Sequence, residues 1–182
     1  MQRNSFLQLL KKHLPSTQEE TLFKEQMIDF VQENPACFER SLLIGHITGS
    51  AWIVDKSRQF TLLTHHRKLD KWFQTGGHCD GDSDVLNVAM KEAEEETGLF
   101  DIQVISSNIF DIDIHEIPER KGVPKHLHYD VRFLLEADIT QPLIISSESS
   151  NLAWIELTNV VKLNNSQSIM RMVSKTIEEE IK

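Results

Sequence analysis

Two cysteines in 182 residues, Cys37 and Cys79, are too few for a disulfide framework and point to a reducing, cytoplasmic setting. Missing as well is any apolar run of the roughly 18–20 residues that a bilayer crossing needs, so no membrane partner is expected. The first residues, Met-Gln-Arg-Asn-Ser-Phe-Leu-Gln-Leu-Leu-Lys-Lys-His, are broken by polar side chains and lack the apolar core of a secretion signal. Positive charge is scarce: a formal net charge of −9 argues against nucleic-acid backbones and anionic surfaces as partners. No internal repeat or low-complexity tract is present. What remains is globular composition, 40% hydrophobic and 26% charged, in a chain long enough for a single buried domain over 1–182.

The acidity is uneven. Between Gly76 and Leu99 there are seven acids and one base, Lys91. Just upstream the balance reverses, with Lys56, Arg58, Arg67, Lys68 and Lys71 joined by His65 and His66. Such a pair of segments suits an anionic ligand held against cations, although two solvated faces would leave the same charge pattern.

Residues 1–40 read as a helical extension. Ser16-Thr17-Gln18-Glu19 has the form of a capping box, and Phe23, Met27, Phe30 and Val31 follow at helical spacing. A core over 41–160 then brings short β-like runs at Ala51–Val54, Phe60–Leu63, Ile102–Ser106, Phe110–His115, His126–Leu135 and Leu152–Leu157. The loop from Glu119 to Pro124 predicts a hairpin. A last amphipathic helix over 165–182 carries Ile169, Met172, Val173 and Ile177. Strands around a central helix, with helices at both ends, define an α/β class.

The central helix contains Lys91-Glu92-Ala93-Glu94-Glu95-Glu96-Thr97 and stops at Gly98. At about 100° per residue, Leu86, Ala89, Met90 and Ala93 share an apolar stripe expected to face the sheet, with Glu92, Glu95 and Glu96 grouped opposite. Like charges at i,i+3 and i,i+4 repel by a few tenths of a kcal/mol, and acids in a last turn oppose the helix dipole by about 0.3–1 kcal/mol. A bound cation reverses the sign of both effects. Clustered carboxylates suit a hard ion such as Mg²⁺ or Mn²⁺. Upstream, Gly76-Gly77 permits a tight turn whose backbone approaches a phosphate or metal, and Asp82, Ser83 and Asp84 are N-cap candidates.

This segment resembles the Nudix box: Gly, five residues, Glu, seven residues, Arg-Glu, an aliphatic residue, any residue, Glu-Glu, any residue, Gly, aliphatic. Gly77 opens the match over 77–99, and Lys91-Glu92-Ala93-Glu94-Glu95-Glu96-Thr97-Gly98-Leu99 closes it in register. Ser83 replaces the first Glu and Lys91 replaces Arg. The resemblance implies a Nudix-like α/β/α sandwich with a mixed sheet, to which the N-terminal helical segment is added. It implies Mg²⁺ or Mn²⁺ held by Glu92, Glu95 and Glu96, with the Gly76 carbonyl as a further ligand. It also implies hydrolysis of a nucleoside diphosphate derivative, a small-molecule substrate. Glu92 would act there as ligand or general base. The alternative is a Nudix-like module that binds a nucleotide without cleaving it, which the changes at Ser83 and Lys91 motivate. Asp82 or Asp84 is a stand-in for the missing Glu.

Arg67, Lys68 and Lys71 are candidates for the substrate phosphates, Gly77 for a backbone contact and Trp72 for stacking. The run from His126 to Arg132 alternates, placing His126, His128, Asp130 and Arg132 on one strand face. Asp111, Asp113 and His115 do the same on its expected hairpin partner. Three readings stand: an active-site wall with His128 toward substrate and Asp130 completing a metal shell, a separate His-rich transition-metal site, or a solvated face. Cys79 offers a thiol within the loop, as in isopentenyl-diphosphate isomerases, though their wider motif is absent. The N-terminal helices are candidates for homodimer contacts or a lid.

Overall fold

The computed structural model describes residues 3–180 except Lys68, Lys121 and Glu148, with backbone alone at Glu179 and Glu180. The chain forms two compact units. One comprises the residues up to Ser50, Gly76–Ala89 and Ser107–Phe133; the other comprises Ala51–Thr75, Met90–Ser106 and the chain from Leu134 onward. No helix among the described residues is long and apolar enough to cross a membrane.

The first unit begins with helices α1 (Arg3–Lys12) and α2 (Gln18–Glu33). Phe6, Leu10, Met27, Phe30 and Val31 are buried, as the helical spacing requires. The capping box lies one residue later than expected. Thr17 is the N-cap, its hydroxyl accepting from the Glu20 N–H at 3.1 Å, while the Glu20 carboxylate accepts from the Ser16 N–H at 2.7 Å. Glu20 wins over Glu19 because its carboxylate is also met by His13 Nε2 at 2.8 Å in a buried position.

Beside these helices the unit holds the leading half of β1 (Gly45–Val54), most of β4 (Thr75–His78), β6 (Asp111–Ile117) and the leading part of β7 (His126–Glu136). β4 pairs with β1, β1 neighbours β7, and β6 pairs with β7. Gly76-Gly77 was expected to form a turn and instead lies in β4. A Cβ at Gly76 would sit 2.2 Å from Ser50 Oγ and 2.8 Å from Ser50 Cα, so this glycine serves close strand approach. The chain turns later, at Asp80 and Gly81, where φ is +48° and +87°. The hairpin expected near Glu119–Pro124 joins β6 to β7, with Arg120 and Val123 bridged across it.

In the second unit, β2 (Phe60–His66) pairs antiparallel with the end of β1, with β3 (Lys71–Phe73) and with β8 (Ser149–Glu156). The strand expected over Ile102–Ser106 shrinks to β5 (Gln103–Val104), paired with the last residues of β7. Leu157 does not extend β8; it opens α4 (Leu157–Leu163). In α5 (Gln167–Glu180), Ile169, Met172 and Val173 are buried, but Ile177 is 43% exposed. Thr176 takes the inner position instead, because its hydroxyl accepts from Trp52 Nε1 at 2.9 Å.

Helix α3 (Val85–Thr97) corrects the expected helical phase. The buried residues are Val85, Val88, Ala89, Ala93 and Thr97, while Leu86 and Met90 are half-buried. With Leu86 as origin, the inner face is turned by roughly 50° from the predicted stripe. Gly49 of β1 explains the turn: a Cβ there would lie 2.8 Å from the Val85 carbonyl and 3.2 Å from Val88 Cγ1. The missing side chain lets Val85 and Val88 seat against the strand. Glu92 and Glu96 therefore do not oppose the buried face. At about 240° and 280° they fall within its arc and are half-buried, whereas Glu95, near 180°, is exposed at its edge.

Candidate functional site

α3 is the element from which a site can be built. Its N-terminus is fixed by Asp84, whose Oδ1 accepts from the Asn87 N–H at 3.3 Å. Asp82 supports that turn by accepting from the Asp84 N–H at 2.9 Å and from Asn87 Nδ2 at 3.2 Å. Both acids thus serve the helix start, the region that Ser83 has given up. At the other end Gly98 adopts φ +71° and donates its N–H to the Glu94 carbonyl at 2.9 Å. Between these fixed ends Glu92, Glu95 and Glu96 occupy i, i+3 and i+4, so one helix face projects three carboxylates side by side.

The basic candidates lie in the second unit. Arg67 donates from Nη2 to the Ser149 carbonyl at 2.9 Å, which holds its guanidinium on β8. Lys71 begins β3 with an exposed side chain. Trp72 is half-buried, its carbonyl accepting from Asn164 Nδ2 at 2.8 Å and its ring 5.1 Å from that of His65. Lys68 lies outside the described residues.

In the first unit, the strand face read from alternation is real. Asp111 pairs with Arg132, Asp113 with Asp130, His115 with His128 and Ile117 with His126. The face is not solvated, which removes that reading: Asp111, Asp113, His126, Asp130 and Arg132 are all buried. Arg132, 3% exposed, donates from Nε to Asp130 at 2.8 Å and from Nη1 to Asp111 at 3.0 Å, with Asp113 at 3.4 Å from Nη2. Burial works against the guanidinium charge, but the carboxylates of Asp130, Asp113 and Asp111 outweigh it and raise its pKa. Asp130 Oδ1 also accepts from the hydroxyls of Thr48 at 2.9 Å and Ser50 at 2.7 Å. Its two oxygens are thus engaged by three protein donors.

Gly76 and Gly77 lie in β4 and His78 at its end. His128 is half-buried, and its Nε2 has no hydrogen-bond partner. Cys79 is 4% exposed, and burial, then the Asp82 and Asp130 carboxylates, push its thiol well above the ordinary range. That is the reverse of an activated nucleophile. Sequence reasoning missed Thr48 and Ser50 as partners of Asp130, since hydroxyls 80 or more positions away leave no local signal.

The family model for the NUDIX domain matches residues 46–175. The asymmetrical bis(5'-nucleosyl)-tetraphosphatase of Caenorhabditis elegans is 30% identical over 107 residues, 58% of this chain and 72% of that protein. A probable DHNTP pyrophosphohydrolase of Lactococcus lactis subsp. cremoris is 29% identical over 94 residues, 50% of this chain and 54% of that protein. Among solved structures, a binary complex of the C. elegans Ap4A hydrolase has a TM-score of 0.61 at 18% identity, covering 74% of this chain and 97% of that one. The MutT protein of Methanosarcina mazei has a TM-score of 0.56 at 18% identity, covering 76% and 96%. At these identities the structures speak to the fold, which is the α/β arrangement expected from the sequence. With the family match spanning more than half of the chain, and with the closing motif Lys91–Leu99 in register on and just beyond α3, this chain belongs to the Nudix family of hydrolases, which act on pyrophosphate bonds.

Proposed function

We propose that this protein hydrolyses the diphosphate linkage of a nucleoside diphosphate or polyphosphate derivative in a reaction that depends on Mg²⁺ or Mn²⁺. The observation that carries the proposal is the i, i+3, i+4 row of Glu92, Glu95 and Glu96 on α3, with Glu92 and Glu96 half-buried. The donor set fits the ion: three carboxylates are hard oxygen ligands, and no softer group interrupts their row. When bound, the ion neutralises diphosphate charge and lowers the pKa of a coordinated water.

Glu95 and Glu96 hold the ion in this reading. Glu92 is a third ligand or takes the proton of the attacking water at a side-chain oxygen. Lys71, exposed at the start of β3, offers an ammonium to a terminal phosphate. Arg67, already tied to the Ser149 carbonyl, supplies charge from a fixed position. Trp72 offers part of its indole face to a base or ribose. The proposal rests on the carboxylates of one helix and asks nothing of Gly76 or Asp130. Names of the relatives support the reading, since one denotes a hydrolase of a bis(5'-nucleosyl) tetraphosphate and the other a pyrophosphohydrolase.

A panel of nucleoside diphosphate derivatives, dinucleoside polyphosphates included, assayed with Mg²⁺ and with Mn²⁺ is the direct test. Release of a monophosphate product is expected. Glu96→Gln should lower turnover by roughly 100-fold or more, since outer partners of metal ligands alone cost 10–100-fold. Unchanged activity in that variant overturns the assignment. Ligand-dependent thermal stabilisation with no turnover across the panel leaves a binding module instead.

A further inference from the structure

We propose that His46, His78 and His128 form a second metal site, with a ligand set of its own that includes none of the α3 carboxylates, and that it binds one Zn²⁺ ion. The ligand atoms of these three side chains all lie within 4.8 Å of one another. Each comes from a different strand: His46 from β1, His78 from the end of β4 and His128 from β7, with β1 paired to β4 and next to β7. Ring centroids are 5.0 Å apart for His46 and His78, 4.9 Å for His46 and His128, and 5.1 Å for His78 and His128.

The polar atoms are what need an explanation. His46 is 2% exposed, and neither its Nδ1 nor its Nε2 has a hydrogen-bond partner; His128 Nε2 is buried and equally unpartnered. Leaving such groups unsatisfied costs about 1–3 kcal/mol each, which an apolar side chain of similar shape would avoid. A metal ion satisfies them together. Burial, aided by the neighbouring rings and by Arg40, holds His78 down to about 4; burial and the adjacent rings hold His128 down to about 2. Both are neutral near pH 7, with a lone pair to donate. Burial also lowers His46, with the Leu42 backbone opposing the shift. Arg40 and Asp80, an ion pair with each other, act on His78, and His115 beside His128 contacts Asp113 at 3.1 Å.

Two further histidines fill outer positions. His126 donates Nδ1–H to the Pro124 carbonyl at 2.8 Å, and its ring is 5.0 Å from His46 and 5.3 Å from His128. His115 lies 5.5 Å from His128. Three neutral imidazoles favour a borderline transition ion over Mg²⁺, and Zn²⁺ accepts three nitrogens with an open fourth position. Tetrahedral Zn–N bonds place nitrogens about 3.3 Å apart, so the rings need to close by about 1.5 Å or less.

The test uses chelator-stripped full-length protein titrated with Zn²⁺ in a calorimeter and with Co²⁺ in a spectrophotometer. One equivalent of Zn²⁺ should bind, and Co²⁺ should give the intense visible bands of a four-coordinate nitrogen site, lost on adding Zn²⁺. His78→Gln and His128→Gln should each weaken Zn²⁺ binding by roughly 100-fold. The double variant Glu92→Gln, Glu96→Gln should bind Zn²⁺ at this site as before, whatever its turnover. If His128→Gln does not fold, His78→Gln, at a strand end, carries the comparison. Absence of saturable Zn²⁺ binding, a six-coordinate Co²⁺ spectrum, or binding lost with the glutamates and kept in His78→Gln overturns the proposal.

Discussion

Helix α3 and the β6–β7 face carry the same kinds of residue, charged or metal-ligating, yet the chain treats them in opposite ways. On α3 the acids are only partly withdrawn, Glu92 and Glu96 half-buried and Glu95 exposed, and local physics disfavours their grouping by a few tenths of a kcal/mol per pair. On the β6–β7 face, Asp111, Asp113, Asp130 and Arg132 are withdrawn from water, and each charge is met by a specific partner. The difference teaches where binding and where stability reside. Like charges grouped along one helix face cost the fold little, whereas a buried mixed-charge network is part of the fold and tolerates no missing member.

The sharpest way to break this contrast is Arg132→Met. Removing the guanidinium leaves three buried carboxylates without it, and stability should fall by about 3–5 kcal/mol in urea unfolding. A loss below 1 kcal/mol would show that the face opens to water and that the contrast is false. A smaller effect is expected at the end of α3. Gly98→Ala places a Cβ at φ +71° and 2.6 Å from Ile144 Cβ, which should cost about 1–3 kcal/mol and lower metal-dependent turnover by loosening the last turn that bears Glu95 and Glu96. The smallest effect belongs to the exposed face itself. Lys91→Ala should change stability by no more than about 0.5 kcal/mol, because Lys91 is exposed and an i,i+4 charge pair on a helix surface is worth at most about that much. A large change there would mean that α3 depends on its charges as the buried face does.

Much of both regions was legible. Alternation from His126 to Arg132 and from Asp111 to His115 put the right residues on one face, and burial of that face holds the two strands in register. The nine-residue closing motif, with Gly98 as its stop, located α3 and its acids. The phase of that helix was not legible, because Leu86 and Met90 are as apolar as Val85 and Val88. Gly49, from another strand, decides which pair goes inward. The Gly76-Gly77 turn failed for a related reason: glycine permits a turn and close strand packing equally, and Ser50 selects the second. The trio of histidines was half legible. His128 belongs to a periodic strand, while His46 and His78 are single residues in unremarkable contexts that only strand pairing joins to it.

By itself, the sequence determined the local periods of its longer segments: the N-terminal helices, the strands around 60–63, 111–115 and 126–135, where α3 ends, and that three carboxylates share one of its faces. These are set by backbone geometry and repeat over a few residues. Tertiary structure alone decided which charges are buried, that Asp130 answers to Arg132, Thr48 and Ser50, and that three imidazoles from three strands meet, with both nitrogens of His46 and Nε2 of His128 left without a hydrogen-bond partner. Burial and partner choice depend on groups distant in sequence, and the free energy of a charge or a lone pair is set by what surrounds it.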